Sequence, residues 1–468
     1  MTQHPSAARA AVAIIGGGVS GANVALALNR LAPGAFDIVV IEPRDAIGRG
    51  LAYSSEDPAH RINVPASRME TDPDDPEHFV RWLTARDIVR TDPGALLPDG
   101  RLFPSRHAYG SYVSGQLSAI AGLVHRRTRA TTVRRVDGRY HVACADGGTV
   151  VADTVVLAIC HPPPTIPAAL TSLAGTPRLV ANPWATGAFD AIAPDERLLI
   201  VGTGLTMADI VATLERRGHR GALTAISRRG QRSKPHTTQP AEPYGDFLSP
   251  PPATALALLR RIRATLACAT AEGLSWHAVL DQVRLQGSDI WRSLPVNERQ
   301  RLLQHLRPFW DTHRFRLAPQ VHDVLERRLH DGALSIEAAS LRGVRDCGDH
   351  LDVTLQPRHG AAPRLLAVDR IVLATGPAHG SLFRDDMLLR QMLQDGLARP
   401  DIHGLGMAVD DNSRAIDADG AAQPRLLVAG PLARGTFGEL MGVPDVVRQT
   451  RRVAEMAMHV PASSSGRR

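Results

Sequence analysis

Lysine is almost missing from this chain: Lys234 is the only one among 54 basic residues in 468. The net charge of +7 is therefore carried by arginine, scattered along the chain and commonly beside acids, as in Glu215-Arg216-Arg217 and Glu326-Arg327-Arg328. Aromatics make up only 4%, which leaves little for base stacking and argues against a nucleic-acid partner. The basic balance is read as arginine-biased coding that also suits anionic small molecules. Cysteines are few and far apart: Cys144, Cys160, Cys268 and Cys347 form no Cys-x-x-Cys pair. That excludes an adjacent redox dithiol and a zinc framework, so no metal is expected and each cysteine is read as a small buried hydrophobe. No apolar run is long enough to cross a bilayer, and residues 1–11 lack a basic segment followed by an apolar one. A cytoplasmic protein without a membrane partner is expected, its length suggesting two or three domains.

Glycine, by contrast, is placed with purpose. The apolar run Val12-Ala13-Ile14-Ile15 enters Gly16-Gly17-Gly18-Val19-Ser20-Gly21 and leaves through small and apolar residues at helical spacing. A Gly-x-Gly-x-x-Gly motif in this strand–turn–helix setting predicts a dinucleotide site. Gly16 serves the tight turn, Gly18 the approach of a pyrophosphate to the helix N-terminus, and Gly21 the close packing of helix on strand. A second apolar run, Asp37 to Ile41, ends in Glu42, placed to receive a ribose hydroxyl.

The segment from Gly48 to Tyr112 is irregular and polar, and is expected to wrap the far end of the dinucleotide. A helix is predicted from Tyr109 to Arg127, then short strands over Thr131–Val136, Tyr140–Ala145, Val150-Val151 and Thr154–Ile159. His161, before prolines, is read as structural.

The pattern then recurs. Leu198-Leu199-Ile200-Val201 enters Gly202-Thr203-Gly204-Leu205-Thr206-Met207, with Met207 where a third glycine would stand, and the next strand, Ala222–Ser227, ends in Arg228-Arg229. Two arginines there favour a 2′-phosphate, hence NADP over NAD, against the alternative of a solvated basic turn. His350–Gln356 and Asp369–Pro377 repeat the ending of the first half, so the chain holds two copies of one architecture. Residues 251–332 are helical in character and are expected to form a cap over the reacting centre.

Taken together, these features resemble the two-dinucleotide-binding-domain flavoproteins, and within them the bacterial FAD-NAD(P)-binding proteins of the YdhS-like kind, related to flavin-dependent N-hydroxylating monooxygenases. The pieces most specific to that resemblance are Gly50-Leu51-Ala52-Tyr53-Ser54, Asn63-Val64-Pro65-Ala66-x-Arg68-Met69, Asp74–Phe79, Trp310-Asp311-Thr312-His313-Arg314 and Gly430–Gly435. It implies an α/β fold with two Rossmann-like domains: an FAD domain over 1–165 and 370–460, split by an NADP domain over 175–369 that contains the helical insert, and a disordered tail over 461–468.

By the same resemblance FAD is assigned to Gly16, Gly18, Ser20, Gly21, Glu42 and Arg44, with Arg61, Asn63, Arg68, Gly376, Gly430 and Pro431 nearby; NADPH is assigned to Gly202, Gly204, Thr206, Arg228 and Arg229. Two departures stand out. Ala158-Ile159-Cys160 replaces the first Ala-Thr-Gly turn, and Gly430-Pro431 replaces a Gly-Asp that would contact the ribityl chain.

The implied activity is hydroxylation of a small amine or amino acid by O2 through a C4a-hydroperoxyflavin. A reductase or oxidase passing electrons to another acceptor, and a non-catalytic flavin sensor, remain alternatives. Asn63 is the candidate polar contact to the flavin, or an Asn that holds a turn. His313 and Arg314, with Arg316 beside them, are candidates for binding an anionic group, or a solvated cluster, and Asp311 is placed to orient His313.

Overall fold

The computed structural model describes residues 9–159, 162, 164–358, 360–376 and 379–459. The expectations for Cys160, His161 and the tail 461–468 fall outside them.

A first sheet runs, edge to edge, Arg414–Ile416, Ala422–Val428, Thr154–Leu157, Ala10–Ile15, Phe36–Ile41, Val124–Arg126, parallel except at the first edge strand. Its central strand is covered on both faces, which is why Val12, Ala13, Ile14 and Ile15 are all apolar and none is more than 3% exposed. The helix Val19–Leu31 packs against Val443–Met458 on one side. A three-stranded antiparallel sheet, Ala130–Val136, Arg139–Cys144 and Thr149–Ala152, takes the place of a crossover helix.

A second sheet runs Arg364–Val368, Leu351–Pro357, Leu334–Asp346, Leu223–Ser227, Leu198–Val201, Arg370–Leu373, Leu179–Val180. Its parallel centre carries the second glycine turn, so the α/β architecture with two Rossmann-like sheets is as expected. The two units are joined by buried polar contacts. Arg106 pairs with Asp209 at 2.8 Å, and His60 Nε2 lies 2.9 Å from Thr213 Oγ1 on the helix Leu205–Arg216.

Four expectations are corrected. The return to the first sheet does not begin at 370: Arg370–Leu373 pairs with Leu198–Val201 in the second sheet, and Ala422–Val428 makes the return by pairing with Thr154–Leu157. Pro319–His330 belongs to the layer over the second sheet, because Val321 and Leu325 share a core with Ala208 and Val211; the cap has a core of its own around Phe247, Leu258, Val279 and Ile290. The helix expected over 109–127 is Arg106–Leu117, started by Ser105, whose hydroxyl accepts the Ala108 N–H at 3.3 Å; Val124–Arg126 is an edge strand. Cys268 and Cys347 are exposed, and only Cys144 among the described cysteines is buried. Among the described residues no helix is long and apolar enough to cross a membrane.

Candidate functional site

The first glycine turn is shaped by close approaches. A Cβ on Gly21 would lie 1.9 Å from the Gly16 oxygen, and one on Gly16, at φ +103°, would lie 2.7 Å from the Ala158 oxygen. Gly18 faces Gly50, whose Cα would be 3.4 Å from a Cβ on Gly18, and the Gly48 N–H donates to the Gly17 oxygen at 2.7 Å. The irregular segment thus folds back over the turn. Glu42 is buried at the end of its strand; Oε2 accepts from the Gly17 N–H at 2.9 Å, and Oε1 accepts from the backbone and guanidinium of Arg44, both at 3.1 Å.

Gly430 closes the cradle: a Cβ there would lie 2.2 Å from Ser20 Oγ, and its N–H donates to Gln449 Oε1 at 2.9 Å. Gly16, Gly18, Ser20, Gly21, Glu42, Arg44, Gly430 and Pro431 therefore meet around the N-terminus of one helix. Turn, helix and the Gly430 loop approach this closely only because Gly16, Gly21 and Gly430 carry no side chain, and the helix N-terminus at their centre fits a pyrophosphate. Arg49, missed in the sequence, also stands here. Among the described residues no carboxylate pairs with it and its buried Nε has no partner, while its guanidinium reaches Ser111 Oγ at 3.4 Å. The signal available was its place between Gly48 and Gly50.

Two expected cofactor arginines differ. Arg61 forms a fork on Asp92, with one bond at 2.8 Å, and is not free for a phosphate. Arg68 carries no ion pair among the described residues and lines a cavity described below.

At the second turn Gly202 has φ +123°, and a Cβ there would lie 2.2 Å from the Ala374 oxygen. Gly204 begins the helix Leu205–Arg216, Thr206 lies in its first turn, and Met207 is buried in the core. Gly376 follows the strand beside this turn, at φ +73°, rather than the first one as expected. Arg228 is exposed, and the Arg229 guanidinium lies 5.0 Å from the centre of the Phe309 ring. A cavity of about 410 Å³ is lined by Gly230, Arg232, Lys234, Thr312 and His313. Arg232 is held by Glu326 at 2.6 Å, whereas Lys234 has no ion pair among the described residues. Its N–H donates to the Thr312 oxygen at 2.8 Å, and its own carbonyl accepts from Leu317 at 2.9 Å.

A further cavity, of about 220 Å³, lies between the Asn63-Val64-Pro65 loop and the cap helices Trp276–Leu285 and Arg307–Arg314. His236, from the second unit, donates from Nε2 to the Asn63 carbonyl at 3.0 Å; burial pushes its pKa down to about 4 and keeps it neutral. His277 is likewise pushed down by burial and donates to the Pro235 carbonyl at 3.1 Å. His313 borders both cavities. Its Nδ1 donates to the Phe309 carbonyl at 2.7 Å, leaving Nε2 as an acceptor.

Arg314 is not available for an anionic ligand: its side chain is 4% exposed and binds Glu439 at 3.1 Å and Asp445 at 3.2 Å. Arg316 is committed to Asp281 at 2.7 Å, and Asp311 pairs with Arg307 at 3.3 Å, so it does not orient His313. Arg284 shares Asp445 at 3.3 Å and, desolvated and beside Arg314, is pushed down to about 10.

A family described as FAD-NAD(P)-binding matches residues 13–162, which includes the first glycine turn and the irregular segment. A comparison with curated proteins found no sequence match. Among solved structures the chain is similar to ornithine N-hydroxylase of Kutzneria sp. 744, at 18% identity and TM-score 0.66, covering 96% of this chain and 99% of that one. It is similar also to L-lysine 6-monooxygenase of Pseudomonas syringae, at 19% identity and TM-score 0.65 with 96% and 98% covered. Cadaverine monooxygenase of Erwinia amylovora, bound to FAD, gives 15% identity and TM-score 0.62 with 96% and 93% covered. At these identities the likeness is one of fold, and it spans both glycine turns and the cap.

Proposed function

We propose that this chain is an FAD-dependent, NADPH-reduced monooxygenase of the YdhS-like kind that hydroxylates a small nucleophilic amine. The observation that carries the reading is the 220 Å³ cavity, enclosed by the loop that continues from the first glycine turn, by His236 of the second unit and by the cap. His313 on its wall also borders the 410 Å³ cavity near the second turn, so one small chamber adjoins both nucleotide units. Proteins of this fold that hydroxylate ornithine or lysine, and a cadaverine monooxygenase, lend support.

The first cradle, with Gly16, Gly18, Gly21, Glu42 and Gly430, suits FAD, and Arg49 supplies a charge there. Gly202, Gly204 and Thr206 suit NADPH, with Arg228, Arg229 and Lys234 available for its extra phosphate. FAD held in the first cradle would supply the redox chemistry, hydride acceptance and activation of O2.

The chain's own residues hold and shield the substrate. Neutral His236 fixes the backbone at Asn63. The acceptor Nε2 of His313 suits an amine N–H, and the clamp of Arg314 on Glu439 and Asp445 holds the cap down against water. Overall, amine, O2, NADPH and a proton give hydroxylated amine, water and NADP+.

The test is a rapid-mixing record of the FAD-containing protein, reduced with NADPH and mixed with 18O2 and a panel of amines and amino acids. One panel member is expected to appear carrying a single 18O and to raise the share of NADPH coupled to product. Recovery of every electron as hydrogen peroxide, whichever amine is present, would overturn the reading in favour of an oxidase.

A further inference from the structure

Away from both cavities, the hairpin joining Leu334–Asp346 to Leu351–Pro357 brings a thiol, an imidazole and a carboxylate together at the protein surface. Cys347, His350 and Asp352 each offer a donor atom within 4.8 Å of the others. Cys347 Sγ lies 3.5 Å from Asp352 Oδ2, and His350 Nε2 lies 3.2 Å from Asp352 Oδ1. Tetrahedral zinc, with bonds of about 2.3 Å to sulfur and about 2.0–2.1 Å to nitrogen or oxygen, sets its donors roughly 3.3–3.6 Å apart. The imidazole–Oδ1 separation of 3.2 Å lies just below that range, and the thiol's separation of 3.5 Å from the carboxylate's other oxygen lies within it.

The arrangement is also braced. The Cys347 N–H donates to the His350 carbonyl at 2.9 Å and closes the turn, and Gly348, at φ +91°, supplies its left-handed residue. The Gly348 carbonyl is tied to Arg178, whose guanidinium also pairs with Asp346 at 3.6 Å. Asp349 holds His350 Nδ1 at 2.7 Å, so Nε2 is the ring nitrogen turned toward Asp352. A carboxylate behind a histidine in this way fixes its tautomer and raises its basicity toward a metal. Arg345 binds Asp352 Oδ2 at 2.5 Å, the oxygen that faces Cys347, while Oδ1 faces His350 Nε2, so the carboxylate is held between the thiol and the imidazole.

We propose that Cys347, His350 and Asp352 form a surface site for a thiophilic divalent cation of the zinc type, with water in its fourth position. Binding replaces the Cys347 thiol proton, which passes to solvent, and leaves a thiolate–metal bond. The spacing Cys-x-x-His-x-Asp has no second cysteine and so carries none of the paired-cysteine signature of a zinc framework.

The test uses the full FAD-containing chain, freed of metal with a chelator and titrated with ZnCl2, with iodoacetamide labelling of each cysteine read by mass spectrometry. Zinc is expected to slow alkylation of Cys347 at least tenfold and to leave Cys268, also exposed, unaffected. His350→Ala and Asp352→Ala should each abolish that protection, and Asp349→Asn should weaken zinc binding by about 10–100-fold. Melting temperature and basal NADPH oxidation verify that the variants are folded; both should match the parent. Equal alkylation of Cys347 with and without zinc, or protection that survives both alanine variants, would overturn the site.

Discussion

His236 Nε2 donates to the backbone oxygen of Asn63 at 3.0 Å, so a neutral imidazole from the second unit pins the loop of the first. Its pKa in the folded chain is about 4, against an ordinary 6.5, because burial penalises the charged ring. Between those values the unfolded chain binds a proton that the folded chain refuses, and stability falls as pH falls. The slope from this one group reaches at most about 1.4 kcal/mol per pH unit. His60, His219, His277 and His403 are displaced in the same direction. His236→Gln keeps a donor for Asn63 and removes the titration. Its urea midpoint should drop less steeply than the parent's between pH 6.5 and 4; an offset that is constant across that range would refute the coupling.

Gly21 and Gly115 make a matched pair. A methyl group on Gly21 meets backbone oxygen at 1.9 Å, whereas one on exposed Gly115, in the helix Arg106–Leu117, meets nothing within 4 Å. Gly115→Ala should therefore stabilise the chain by about 0.5–1 kcal/mol, by restricting the unfolded state. Gly21→Ala should cost about 1–3 kcal/mol and lower the FAD retained per chain. Normal FAD content in Gly21→Ala would show that the first cradle does not depend on the close approach of helix and turn.

The readable parts of this sequence were those in which local pattern and tertiary role agree. Val12 to Gly21 is such a stretch, since strand, turn and helix are written in adjacent residues. The boundary near 370 was less legible: Ile371-Val372-Leu373 is a buried strand in either sheet, and only its pairing with Leu198–Val201 assigns it. Arg61, Arg314 and Arg316 were misread for a related reason. In a chain so rich in arginine a guanidinium near a motif carries little information until its carboxylate is known, and Asp92, Asp445 and Asp281 lie 31, 131 and 35 residues away. His236 had no motif at all; its role rests on a contact 173 residues distant in sequence.

Arg314 acts as a clamp between the cap and the C-terminal part of the first unit, bridging Glu439 and Asp445 at 4% exposure. Removing the cation leaves Glu439 with Trp310 and Asp445 with Arg284 and Arg448, so Arg314→Met should cost about 1–3 kcal/mol. Adding Glu439→Gln should restore part of that loss. A variant as stable as the parent, with only a raised KM for substrate, would instead assign Arg314 to ligand binding.

Lys234 is the sharpest test of the second nucleotide site, because it lines the 410 Å³ cavity without an ion pair among the described residues, while its neighbour Arg232 is bound to Glu326. A phosphate held by such a cation is worth about 1.5–3 kcal/mol. Lys234→Met should therefore weaken NADPH binding by roughly tenfold or more and leave NADH binding unchanged, since NADH lacks the 2′-phosphate. Arg228→Met and Arg229→Met, measured the same way by anaerobic flavin reduction, apportion the phosphate among the three cations. If Lys234→Met slowed reduction by both nucleotides equally, the residue would be supporting the Thr312–Leu317 backbone rather than reading the phosphate. If it slowed neither, the 2′-phosphate would lie with Arg228 and Arg229, outside the cavity.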